Sequence, residues 1–399
     1  MSRYLAFLVC VAGEPKVYSV AGPLFVSAPV GLEGGRIFGS VKLHQADPFA
    51  PNLLFVLSDE QYAEWEDFFS RKTYLDVSSR TSSFLKPFTK EVEFDVNLPE
   101  PNRYFVGVAT GGVGGLKIDW VQSSGNFLQS QYLPLAQTVR VMLALLVVFT
   151  IAYSVNFVFL PQATKLHLFY VATFFFTTAF LLAWSESLDF EAVTGQRNSW
   201  KTKWLPSLYQ KGFDILEVLV YLLTALGWQS MREKLTYNEV QIIAGGALLS
   251  LLLGILEIRC GDDEIECGGY TSTRMVIHMF GYLTAIVGFN YHIAFLTSHV
   301  NEGSIASLET GAMYKHLSAF WWFRIVFLAF IIQPTLAVVL RADVLGWRDD
   351  WIFVSFFWIT KIILLGAVAL AFRPVKGNLK IVELAVRERR RAARRSSDS

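Results

Sequence analysis

The chain has 399 residues, with 35 Lys and Arg set against 34 Asp and Glu for a net charge of +1, a balance that gives no electrostatic footprint for nucleic acid. Apolar residues make up 53% of the chain and aromatic residues 15%, a load that points to burial in a membrane. Three cysteines are too few for a fold built on disulfides.

Met1 to Ala12 reads as a short signal peptide, with Arg3 leading an apolar run and small residues close to Ala12 for cleavage. The structural alternative is a buried N-terminal strand. Residues 17–136 have a different texture and form a separate domain. Leu24–Val30, Gly35–Leu43 and Leu53–Leu57 are short, β-branched and aromatic, with Gly and Pro between them. Ser58-Asp59-Glu60 predicts a helix start, and Tyr62, Trp65, Phe68 and Phe69 then fall on one helical face. Glu91–Val96, Tyr104–Ala109 and Leu116–Gln122 complete a strand-rich pattern that predicts a β-sandwich of about a hundred residues. The glycine run Gly111-Gly112-Val113-Gly114-Gly115 lacks the Lys-Ser/Thr pair and the following helix of a phosphate loop, so it is predicted to be a turn. No Asn-X-Ser/Thr acceptor for N-glycans occurs.

Residues 137–373 alternate long apolar runs with short polar breaks. The runs are Val139–Leu160, Leu168–Trp184, Phe213–Gln229, Val240–Ile258, Met275–Leu296, Ala319–Leu340 and Trp351–Phe372. A hydrocarbon core of about 30 Å needs roughly 20 helical residues, so these predict seven spans, the second and third short. An odd number puts the termini on opposite sides. Residues 374–399 form a basic tail with Arg387, Arg389, Arg390, Arg391, Arg394 and Arg395, which predicts a cytoplasmic C-terminus. The domain before the first span is then lumenal or extracellular, although Lys201, Lys203 and Lys211 on that side run against the rule. The predicted fold class is a membrane all-α seven-helix bundle preceded by a small lumenal or extracellular β-sandwich domain. Cys260 and Cys267 flank an acidic loop on the lumenal side, where a disulfide persists; a metal site of thiolates and carboxylates without histidine is the weaker alternative.

Ionisable residues at membrane depth are costly and are functional candidates by default. They are Asp214 and Glu217 in the third span, Glu257 in the fourth, His278 and His292 in the fifth, Arg324 in the sixth and Lys361 in the seventh, with Arg274 at the lumenal end of the fifth. The functional reading is a lumen-facing cavity lined by Asp214, Glu217, Glu257, His278 and Lys361 that takes a polar ligand, a lipid headgroup or an ion. The structural reading is buried ion pairs, or side chains reaching the interface, and it suits Glu257, Arg274 and Arg324 best. Pro334 is a candidate hinge in the sixth span. Gly245, Gly246 and Gly254 allow close helix approach in the fourth. His278 and His292 are fourteen residues apart, about 21 Å along a helix, too far to share a metal. There is no His-Glu-X-X-His run, Gly-X-Ser-X-Gly elbow or Walker loop, so no reaction, metal or cofactor is assigned.

The order of signal, small β-domain, seven spans and basic tail resembles the GOLD-domain seven-transmembrane family, in particular its intimal-thickness-receptor-like branch. Arg36-Ile37-Phe38-Gly39-Ser40-Val41 resembles the family's opening aromatic-glycine strand. Tyr104-Phe105-Val106-Gly107-Val108-Ala109 and Gly114-Gly115-Leu116-Lys117-Ile118-Asp119-Trp120 resemble its paired closing strands. Asn290-Tyr291 and Phe372-Arg373-Pro374 are weaker echoes. One departure stands out: that family's exported domain commonly carries cysteines, and none lies between Cys10 and Cys260 here. The resemblance implies a GOLD-like exported domain and no enzymatic reaction. It also implies a secretory-route protein of the Golgi or plasma membrane that handles membrane cargo or acts as a receptor; a channel-like protein and an accessory subunit of a larger membrane complex are the other readings. The partners it implies are membrane lipids and protein cargo at the β-domain. Met231-Arg232-Glu233 stands where G-protein-coupled receptors end their third span in Asp-Arg-Tyr, against a conventional receptor mechanism.

Overall fold

The computed structural model describes residues 16–373, except 22–23, 28, 46–51, 72–81, 127, 130–131, 159–163, 196–199, 233, 261–263, 302–306 and 344–345. The signal reading over Met1 to Ala12 and the basic tail lie outside the described residues. The chain divides into two compact units. The first holds Met1–Thr138 together with Trp184–Lys203 and Arg341–Val354; the second holds Val139–Ala183, Trp204–Leu340 and Ser355–Ser399.

Among the described residues, the first unit is built on an antiparallel sheet of seven strands. They are β1 (Lys16–Ala21), β2 (Leu24–Val26), β3 (Val30–Gln45), β4 (Asn52–Ser58), β5 (Phe84–Phe88), β6 (Glu91–Ala109) and β7 (Val113–Gln122). Their order is β1-β7-β3-β6-β4-β5, with β2 also paired to β6. Alternation writes the faces: Val92, Phe94, Val96 and Leu98 of β6 are buried while Glu91, Glu93, Asp95 and Asn97 face out. The buried set joins Ile37 and Val41 of β3, Leu54 and Val56 of β4, and Leu116, Ile118 and Trp120 of β7 in one core. The opposite face is covered locally by α1 (Asp59–Arg71), whose Trp65 packs with Phe55, Leu57 and Phe105. Tyr62 stacks on Phe105 at 4.0 Å.

Helix α1 begins where Ser58-Asp59-Glu60 predicts it. Gln61 N–H donates to Ser58 Oγ at 3.3 Å and Ser58 N–H donates to Gln61 Oε1 at 3.0 Å, a reciprocal cap. Arg103 of β6 grips both carboxylate oxygens of Asp59 at 2.7 and 2.8 Å, tying the first turn to the sheet. The side chains of Phe68 and Phe69 lie outside the described residues.

Glu91–Val96 and Tyr104–Ala109 are one strand rather than two. Pro99 and Pro101 do not break it, because they face a bulge in β3 between Glu33 and Gly35, where the ladder is already irregular. Gly34 and Gly35 at that bulge take positive φ of 94° and 140°. The glycine run after β6 bends only at Gly111 and Gly112, since Gly114 and Gly115 already pair within β7.

Seven α-helices follow among the described residues. They are α2 (Leu133–Tyr153), which runs on into a π-helical turn, α3 (Lys165–Thr194), α4 (Leu205–Ala225), α5 (Tyr237–Cys260), α6 (Glu264–Asn301), α7 (Ser307–Asp343) and α8 (Asp350–Ala371). Most extend past their apolar runs at one end or both, because polar helix formers continue the same backbone. Pro334 lies inside α7, which carries on to Asp343. Six of them, all except α4, are long and apolar enough to cross a membrane. Their outer faces present large apolar residues, among them Leu145 and Val148 of α2, Ile242 and Leu252 of α5, and Val276, Phe280 and Val287 of α6. An antiparallel sheet domain followed by a multi-pass membrane region is the architecture. Helix α4 has 21 residues and differs in carrying Lys211, Asp214 and Glu217 within two turns. It packs against α5 and α6.

Candidate functional site

Lys211, Asp214 and Glu217 recur every third residue, so α4 presents all three along one face. That face meets α5, α6 and α8, each of which supplies a single complementary charge. Gly254 of α5 has no side chain where the stem of Lys211 lies; a Cβ there would sit 3.3 Å from Lys211 Cβ.

The charges form an alternating chain. Lys211 Nζ donates to Glu257 Oε1 at 2.6 Å, and Arg274 Nε donates to Glu257 Oε2 at 3.0 Å. Arg274 NH1 continues to Asp214 Oδ2 at 3.2 Å. Lys361 Nζ stands 3.6 Å from Asp214 Oδ1 and 2.9 Å from Glu217 Oε2. Three cations and three carboxylates leave no net charge. The side chains are deeply enclosed, Lys211 at 3% and Glu217 at 1% exposure. Taking such ions from water is offset only when every one is paired, which this order achieves. The Lys361 ammonium also lies 5.3, 5.3 and 5.4 Å from the ring centres of Phe213, Phe357 and Trp358, where the aromatic faces add attraction.

The chain has an open end. Glu217 Oε1 accepts no hydrogen bond among the described residues, and neither does the hydroxyl of Tyr221, one turn further along α4. Tyr221 is fully buried against Phe327 and Phe330 of α7. Gln333, beside Pro334, donates from Nε2 to the Phe357 carbonyl at 3.2 Å, while its Oε1 has no donor among the described residues.

Asp214, Glu217, Glu257 and Lys361 therefore come together, as members of one ionic chain. His278 sits one turn after Arg274 but bonds Ser250 Oγ through Nε2 at 2.7 Å. Two members were not among the sequence candidates for the cavity. Lys211 reads in sequence as a lumenal cation flanking the third span; it is a buried link in the chain. Arg274 reads in sequence as a buried ion pair or an interface residue; it is paired, and is the central link. The signal that finds Lys211 is its three-residue spacing to Asp214 and Glu217. Arg324 lies over the Trp321 ring at 5.2 Å. Cys260 is disulfide-bonded, and the side chain of Cys267 lies outside the described residues.

No family model matches the chain, and no curated protein is significantly similar to it. Function has to be argued from sites.

A second site lies on the strand domain. An open groove of about 560 Å³ runs along the bulge of β3 and is lined by Glu33, Arg36, Asn97, Pro99, Gln122 and Ser123 among others. Gln122 holds its floor: Oε1 accepts from Glu33 N–H at 2.8 Å, and Nε2 donates to the carbonyls of Leu128 at 2.8 Å and Gly31 at 3.2 Å. The volume is that of a small-ligand or side-chain pocket.

Proposed function

We propose that the chain is a non-enzymatic multi-pass protein of the secretory route. In this reading it carries a GOLD-like domain on the lumenal or extracellular side and seven spans with a cytoplasmic C-terminus, and the exported domain handles protein cargo. The observation that carries the cargo reading is the groove beside the β3 bulge. It is pre-formed by Gln122 and lined by the acid Glu33 and by Arg36, whose guanidinium also reaches Asp95 Oδ2 at 3.3 Å. Long strands β3 and β6 bring residues from both ends of the sheet into one core, which supports a sandwich-like fold.

Seven spans are supported by α4 itself, whose 21 residues are long enough to cross and whose three charges are each met by a partner on α5, α6 or α8. Helix α4 is then a span whose charges are hidden by their partners. The disulfide at Cys260 fits a lumenal loop between α5 and α6.

Depletion of the protein is expected to delay surface arrival of a panel of membrane cargo reporters. The unaltered chain and Glu217→Gln should restore it, and a chain with Glu33→Lys and Arg36→Glu should not. A second reading is favoured by the unsatisfied Glu217 Oε1 and Tyr221 hydroxyl: a polar ligand or ion held inside the bundle. It predicts the reverse, with Glu217→Gln inactive and the groove substitutions harmless.

A further inference from the structure

A separate polar cavity lies where α3 begins, the turn after α4 folds back and α8 finishes. Its walls include Thr164 and His167, Ser230, Lys315 of α7 and Arg373. It encloses about 20 Å³, room for one oxygen-sized group, and opens to the surface.

The walls are built to stay in place. Thr164 N–H donates to His167 Nδ1 at 3.0 Å, so that nitrogen is the acceptor and Nε2–H donates to the Phe372 carbonyl at 2.9 Å. This ties the start of α3 to the end of α8 through a neutral imidazole. The turn after α4 holds Gln229 at φ 60°, a left-handed conformation that side chains other than glycine rarely adopt. It is braced by Gln229 N–H to the Arg232 carbonyl at 2.7 Å and by Arg232 on both oxygens of Glu239 at 3.0 and 2.8 Å. Strain of this kind collects at binding sites.

The cavity is polarised one way. Ser230 is 6% exposed, and its hydroxyl has no partner among the described residues. Lys315 and Arg373 stand exposed at the rim and form no ion pair among the described residues. No carboxylate lines the space among the described residues. The first turn of the 30-residue α3 adds the positive end of its dipole. A buried hydroxyl donor, two rim cations and a helix start are a donor set for a phosphate group.

We propose that this cavity binds a phosphomonoester, one phosphoryl oxygen entering beside Ser230 and the others held by Lys315 and Arg373. The source is either a phosphoinositide headgroup or a soluble phosphate. Under the orientation proposed above, this end faces the cytoplasm, where anionic lipids gather.

The full chain is purified in detergent, and binding of short-chain phosphatidylinositol 4-phosphate and of inorganic phosphate is measured by thermophoresis. Saturable binding of at least one is expected. Joint Lys315→Gln and Arg373→Gln should weaken it by about tenfold or more, and Ser230→Ala by about fivefold. Arg259→Gln, on exposed α5 surface, should leave it unchanged. Binding of the lipid alone identifies a headgroup site, binding of phosphate alone a soluble ligand, and competition between them a site open to both. Should the substituted chains melt early without ligand, a photoreactive phosphoinositide on the unaltered chain should label peptides around Thr164, Ser230 or Lys315. Labelling confined elsewhere, no binding of either probe, or full affinity in the double variant overturns the proposal.

Discussion

Lys361 is the residue on which the ionic chain closes. Among the described residues it alone pairs with Glu217, and it shares Asp214 with Arg274. Removing it leaves a buried carboxylate with no counter-charge. Lys361→Met should therefore destabilise the bundle by about 3 kcal/mol, read as a loss of melting temperature in detergent. Combining it with Glu217→Gln should recover part of that loss, because the orphaned charge disappears with the substitution. Additive losses would mean that the two side chains do not interact. Sequence makes Lys361 and Glu217 visible because an ion inside an apolar run is rare. It hides Lys211, which looks like a flanking cation, and leaves Arg274 open between an ion pair and the interface; both stand just outside the runs beginning at Phe213 and Met275. What obscures them is physical: backbone helix continues past the apolar run, so a residue at the run's edge still lies at the depth of its neighbours on other helices.

At the scale of elements, α4 and α6 meet through glycines that composition does not single out. A Cβ on Gly281 would fall 2.8 Å from Val218 Cγ1, and one on Gly288 would fall 2.9 Å from the Ala225 carbonyl oxygen. The first site meets a side-chain methyl of β-branched Val218, which is stiff at χ1, and the second meets backbone. Gly288→Val is expected to cost about 1–3 kcal/mol through forced separation of the helices, measured by unfolding in detergent. Gly245→Leu should be near neutral, since nothing lies within 4 Å of that site. Gly245 and Gly246 look more like a packing motif in sequence, yet a spacing shows only that a helix can approach and not which helix does. The strand domain has the same division. Alternation in β6 and the cap on α1 are local and legible. The union of two apparent strands across Pro99 and Pro101 depends on a bulge in β3 some sixty residues away in the chain, which local pattern does not carry.

Over the whole molecule the helical region inverts the distribution of a soluble protein: large apolar side chains outside and six compensating charges within. The apolar exterior is what makes the membrane reading firm from composition alone. Charge compensation inside it explains how α4, with three ionisable residues within two turns, sits buried among its neighbours. It also removes Lys211 from the count of loop cations, so one of the three lysines that run against the proposed orientation does not bear on it. The central claim is that α4 spans the membrane with its charges paired, which makes seven crossings. The most direct measurement is the accessibility of a tag at each end of the chain, before and after selective permeabilisation of the plasma membrane. A tag inserted between residues 17 and 24 should stay hidden until internal membranes are opened, or appear on intact cells if the protein reaches the surface. A C-terminal tag should appear as soon as the plasma membrane is permeabilised. Both tags on the same side would contradict the account, because the chain would then cross an even number of times and α4 would not be a span.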